Sequence, residues 1–333
     1  MEKMMDTEKK ILITGGSGFI GTNLIDYFVS KGHKVINIDK AIPRDPKHKR
    51  FWRQLDICNN QELREYVSGF SPDHIIHMAA RTDLDGVTID DYQANTLGIE
   101  SLIEVASDLQ SLKRIVFASS MLVCPLGYQP KHDLEFCPTT VYGKSKVIGE
   151  QIVRSQATGK LNWTIVRPTS LWGPWFGVPY RNFFDAIAHK RYIHPRGKRI
   201  RRSYGFVLNA VEAIEKIIFC KEESKVNEKV FYLADYAPIE LFSWASMISR
   251  AFGVPTPKEV PLPLLIGLSK IGDGMKLLGI RNPPLSTFRL NNLLTDAVYN
   301  LKPLEEITGS LSYKLDDAIA VTVDWIKSNK TSK

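Results

Sequence analysis

Short apolar runs alternate with stretches of helical periodicity through the first half of the chain. The runs at 10–14, 34–39, 51–55, 73–78, 113–119 and 162–167 predict strands. Amphipathic segments at 19–31, 60–69, 90–109 and 140–158 predict the helices between them. Such alternation implies βαβ units and a parallel sheet. With right-handed crossovers the expected class is α/β, a doubly wound parallel sheet.

Two of these segments carry candidate chemistry. The first strand runs into Gly15-Gly16-Ser17-Gly18-Phe19-Ile20-Gly21. Gly15, Gly18 and Gly21 allow a tight turn and a close backbone approach to a pyrophosphate. The helix opening near Phe19 and Ile20 aims free N–H groups and its positive dipole end at the phosphates. The second strand ends in Asp39. A carboxylate there accepts both hydroxyls of an adenosine ribose and repels a 2′-phosphate, so NAD is expected over NADP. Lys40 and Arg44 partly offset that repulsion.

Tyr142 and Lys146 lie one helical turn apart and share a face. A free tyrosine has a pKa near 10, too high for efficient proton transfer at neutral pH. A neighbouring lysine cation is expected to lower it. Ser119 and Ser120 end the fifth predicted strand, at the sheet edge where α/β proteins bind ligands.

After Pro168 the texture changes. Prolines and aromatics cluster at 172–180, and Pro255, Pro257, Pro261 and Pro263 interrupt the later region. Residues 8–170 read as a dinucleotide-binding domain completed by segments near 203–235, and 171–330 mainly as a substrate-binding lobe. Leu262 to Ile280 reads as a lid or interface helix, with a helix resting on a membrane as the alternative.

The 333 residues carry a net charge of +8. The basic loop Lys190, Arg191, Arg196, Lys198, Arg199, Arg201 and Arg202 has no nucleic-acid-binding motif beside it, so no nucleic acid is expected. The four cysteines, Cys58, Cys124, Cys137 and Cys220, show no metal-binding spacing, and no metal is expected. The start is polar without an apolar signal core, and no apolar run is long enough to span a bilayer. A reducing, cytoplasmic setting is the expectation.

With these motifs in sheet order, the chain resembles an extended short-chain dehydrogenase/reductase over about residues 10–235, and more loosely beyond. The resemblance implies a Rossmann fold. It places Gly15, Gly18, Phe19, Ile20, Gly21, Asp39, Asp56, Ile57, Ala79, Ala80, Asn95, Tyr142, Lys146 and Pro168 around NAD. It gives catalytic roles to Ser120, Tyr142 and Lys146, and substrate contacts to Ser120 and Ser170. Arg202, in Arg202-Ser203-Tyr204, matches the nucleotide-sugar branch, whose arginine binds the substrate diphosphate; Ser203 and Asn209 depart from that branch's aspartates. The stretch from Pro283 to Trp325 resembles the hydroxysteroid-dehydrogenase branch. Members that dehydrate or decarboxylate sugars carry an acid within two residues of the catalytic serine, where this chain has Met121 and Leu122. The reading is therefore a nucleotide-sugar 4-epimerase, with a dehydrogenase/reductase of a nucleotide sugar or sterol-like alcohol, or a non-catalytic dinucleotide sensor, as alternatives. A homodimer through segments 90–109 and 140–158 is also implied.

Overall fold

The computed structural model describes residues 8–278, 280 and 285–330. The polar start at 1–7, Pro283 and Pro284, and the end at 331–333 lie outside them. Six strands form where the apolar runs predict: β1 (Lys10–Thr14), β2 (Lys34–Asp39), β3 (Trp52–Gln54), β4 (His74–His77), β5 (Arg114–Ala118) and β6 (Trp163–Pro168). β3 is shorter than expected because a 3₁₀ turn occupies 46–51. A seventh strand, Lys229–Leu233, lies beyond β6.

All neighbouring strands run parallel, in the order 229–233, β6, β5, β4, β1, β2, β3. The chain steps outward from β1 to β3 and then returns to the other side of β1 as β4. The carboxyl ends of β1 and β4 are thus a topological switch point, where such sheets bind ligands. Runs such as Ile11-Leu12-Ile13 are fully buried because both faces of the sheet are covered. Ile11 and Ile13 pack with Leu24, Ile25 and Phe28 of α1 (Phe19–Ser30) and with Val211, Ile214 and Ile217 of the helix Val207–Ile218. Leu12 faces the other side, with Leu63 and Val67 of α2 (Asn60–Phe70) and Leu102 and Val105 of α3 (Leu97–Ser107).

The predicted helix 90–109 is two pieces. A 3₁₀ turn covers 89–95, Thr96 leaves the helical region at φ −127°, ψ −81°, and α3 follows. The cause is Asn95, whose buried amide is held by other segments and pulls the chain off the helical path. The predicted 140–158 helix is α4 (Val141–Ile152), capped by Thr140 Oγ1, with a π turn over 153–157. Gly149 brings α4 close to the Asn95 turn: a Cβ there would lie 2.8 Å from the Asn95 carbonyl oxygen. A third apolar cluster, with Trp172, Phe184, Trp244, Ile248 and Ile319, forms the core of the later region.

Candidate active site

The glycine turn sits between β1 and α1 and is shaped for close approach. Gly15 has φ +74°, and a Cβ there would lie 2.5 Å from the Ala79 nitrogen. A Cβ on Gly21 would come within 2.2 Å of the Gly15 carbonyl oxygen. Gly18 is the N-cap of α1 and supplies no side-chain cap, and the first turn of α1, from Phe19 through Ile20, holds no acid. The N–H groups of that turn therefore face the cradle without a side-chain competitor. Asn37 fixes the turn from β2: its Oδ1 accepts from Gly16 N at 2.8 Å, and its Nδ2 donates to Ser17 Oγ at 3.2 Å. On the far wall, Thr14 Oγ1 and His77 Nδ1 lie 2.8 Å apart, just before Ala79 and Ala80. These features fit a dinucleotide pyrophosphate.

Asp39, at the end of β2, lies against the glycine turn. Its carboxylate accepts from Ser17 N at 3.0 Å and from Ala41 N at 2.9 Å. Burial nonetheless pushes its pKa up. The Lys40 ammonium is turned to Asp56 at 2.9 Å, and only its backbone N–H joins those of Ala41 and Ser17 in opposing the burial of Asp39. Burial works against the Asp56 charge, but Lys40 and the Cys58 N–H outweigh it and hold the carboxyl below its usual range. Arg44 Nη1 donates to the Trp175 carbonyl at 2.5 Å while its charge still reaches Asp39. Ile57, beside Asp56, is buried.

Proton-transfer groups converge at the ends of β5 and α4. Ser120 Oγ accepts from Leu122 N at 3.1 Å and bonds the Tyr142 hydroxyl. Ser119 is excluded from this role, since its hydroxyl donates to the buried Glu150 at 2.5 Å. Lys146 Nζ donates to the Ala118 carbonyl at 3.0 Å. The expected lowering of the Tyr142 pKa by Lys146 does not occur in this arrangement. Burial is the largest influence on Tyr142 and raises it, and the bond to Ser120 only partly opposes that. Burial also lowers Lys146 to about 8, against the opposing charge of Glu150. The same burial therefore drives the proton affinities of the two groups apart, up for the tyrosine and down for the lysine.

Behind this group lies an ion pair that no spacing rule singles out. Glu150 on α4 meets Arg167 on β6 at 2.8 Å through both carboxylate oxygens, with both side chains 1 % exposed. Arg167 also donates to the Asp133 carbonyl at 2.6 Å, and Tyr232 faces its guanidinium. Asn95 is a second support. Its amide donates to Ser145 Oγ at 2.8 Å and to the Arg81 carbonyl at 3.0 Å, and accepts from Arg81 N at 2.9 Å. Through these bonds Asn95 ties the turn before α3 to α4 and to the Arg81 segment.

Across from Tyr142 stand residues far apart in sequence. The Tyr92 ring is 6.0 Å from that of Tyr142. Tyr180 donates to Ser170 Oγ at 2.6 Å and acts electrostatically on Tyr142. Arg202, 6 % exposed, acts in turn on Tyr180, Tyr204 and Tyr299. Its Nη2 donates to the Asn292 carbonyl, while its buried Nε has no partner among the described residues. Pro168 ends β6 beside this wall. Away from the site, Asp26, Asp45 and His48 bring possible metal ligands within 4.8 Å of one another, which the sequence spacing does not reveal. Both carboxylates there already have partners: Asp26 bonds His48, and Asp45 accepts from Lys47 N.

The model of the NAD dependent epimerase/dehydratase family matches residues 11–230, the span that builds this cradle and proton-transfer group. The chain belongs to that family. Among curated members it is 28% identical over 273 residues to a 3 beta-hydroxysteroid dehydrogenase/Delta 5-->4-isomerase of Mycobacterium tuberculosis, covering 75% of this chain and 71% of that one. It is 27% identical over 265 residues to the N-acetyl-alpha-D-glucosaminyl-diphospho-ditrans,octacis-undecaprenol 4-epimerase of Escherichia coli O157:H7, covering 76% of each. The fold of this family member is that of UDP-glucuronic acid 4-epimerase from Bacillus cereus, solved with UDP-glucuronic acid and NAD. There the TM-score is 0.73 at 18% identity, over 96% of this chain and 99% of that one.

Proposed function

We propose that the protein is an NAD-dependent nucleotide-sugar 4-epimerase. The observation that carries the substrate class is Arg202. A guanidinium with a free buried N–H, one tyrosine removed from Tyr142, suits a diphosphate better than any uncharged ligand. NAD, when bound, accepts a hydride from the sugar carbinol and returns it. Tyr142 takes the hydroxyl proton and later gives it back. Ser120 holds the same oxygen. Lys146 binds the nicotinamide ribose and, as a cation, favours the tyrosinate. Met121 and Leu122 carry no ionisable group, so no acid stands there to drive a further elimination. The dimer we infer pairs two copies through α3 and α4.

Free UDP is expected to bind the NAD-loaded protein, and Arg202→Ala to weaken it roughly ten- to a hundredfold with NAD affinity unchanged. Calorimetry decides it. If no nucleoside diphosphate binds, the second reading takes over: oxidation of a hydrophobic alcohol, favoured by the tyrosine-rich wall of Tyr92, Tyr180 and Tyr204 and by the steroid-dehydrogenase relative. Cofactor choice is tested separately. A 2′-phosphate would bring like charge to Asp39, so NAD should bind at least about tenfold more tightly than NADP. Asp39→Asn should narrow the gap. Equal or tighter NADP binding by the wild type would show Arg44 outweighing the carboxylate.

A further inference from the structure

Among the described side chains of the helix Leu262–Leu277, one side is covered and an apolar stripe on another is not. Leu265 and Ser269 are each 1 % exposed, and Ser269 Oγ approaches Thr287 Oγ1 of the next helix, Thr287–Leu294, at 3.4 Å. On the uncovered stripe Leu264, Leu268 and Ile271 are 54 %, 41 % and 62 % exposed, and Leu278, just past the helix, is 84 % exposed. Their spacing of four, three and seven residues keeps them on one face. Phe288 adds a further exposed ring at 67 %. A contiguous apolar stripe of this kind marks an interaction surface.

The basic loop lies beside it. Residues 193–195 pair with 258–260 as parallel strands, and Arg196 N donates to the Val260 carbonyl at 2.8 Å, two residues before the helix begins. Lys190, Arg191, Arg196, Lys198 and Arg199 are exposed, and none of them is paired with a carboxylate among the described residues. No acid occurs between Asp185 and Glu212.

We propose that this face docks on the surface of an anionic phospholipid bilayer. The apolar stripe enters the boundary between headgroups and acyl chains, and the basic loop meets the lipid phosphates. A second copy is the poorer occupant, because it would bring another unpaired basic loop to the contact. No helix of the described residues is long and apolar enough to cross a membrane, so the contact is one of lying on the surface. The proposal does not depend on which alcohol the active site accepts.

Cosedimentation of the full chain with phosphatidylcholine vesicles, with and without phosphatidylglycerol, tests it. Binding to the phosphatidylglycerol vesicles is expected, at least about tenfold stronger than to phosphatidylcholine alone and weakened by salt. A double variant, Leu268→Glu with Ile271→Glu, should abolish it. A triple variant, Arg196→Glu, Lys198→Glu and Arg199→Glu, should reduce it at least about tenfold. NAD affinity of each variant reports retention of the fold. Absence of binding, binding that ignores lipid charge, or binding that survives both variants overturns the proposal. So does concentration-dependent self-association of the wild type, seen by sedimentation velocity without lipid and lost in the double variant.

Discussion

Replacing Tyr142 by phenylalanine is expected to lower turnover by roughly a hundred- to ten-thousandfold, the usual worth of a positioned acid–base group. The ring keeps its place beside Tyr92, and only the bond to Ser120 is lost. NAD binding should survive, because the phosphate cradle belongs to β1 and α1 and the adenosine end to β2. Burial holds the tyrosine above its usual pKa, so at neutral pH it is a neutral phenol, ready to give a proton. Taking one requires Lys146 in its charged form, and burial has brought that lysine to about 8. Turnover and calorimetric NAD affinity, measured on the same preparation, check the expectation. Near-normal turnover would remove Tyr142 from the mechanism and leave the sensor reading standing.

How much of this was legible in the sequence depends on how local each feature is. Parallel strands covered on both faces read as unbroken apolar runs, so β1, β2, β4, β5 and β6 are found to within a residue or so. The glycine turn and the Tyr142–Lys146 spacing are equally local. The spacing establishes a shared helix face, but not that Lys146 would turn to the Ala118 carbonyl. That outcome depends on β5, 28 residues away. The break at Thr96 was hidden for the same reason: its cause is the Asn95 bond to Ser145, 50 residues on. The pocket wall draws Tyr92, Tyr180, Tyr204 and Arg202 from separate segments, and only packing brings them together. Arg167 carried a signal, as the arginine before Pro168. Its partner Glu150 carried none, since a glutamate on an amphipathic helix ordinarily faces water.

Glu150→Ala is expected to destabilise the protein by about 3–5 kcal/mol, the cost of leaving a buried charge without its partner. Burial opposes the Arg167 charge, and the bonded carboxylate more than reverses this, so removing Glu150 leaves that opposition unanswered. The Asp133 carbonyl and the Tyr232 ring remain as partners, which limits the loss. Replacing both residues by apolar ones, Glu150→Leu with Arg167→Met, should recover much of the stability, because a buried pair contributes little over a packed apolar core. Urea denaturation of the three variants measures this, and a change under about 1 kcal/mol in Glu150→Ala would refute it. A second effect follows at the active site. Glu150 lies one turn beyond Lys146 on α4, and its charge raises the lysine pKa. Removing it should therefore carry Lys146 further below about 8, so the alkaline limb of the turnover profile moves to lower pH. A merely structural Glu150 would lower stability and leave that limb in place.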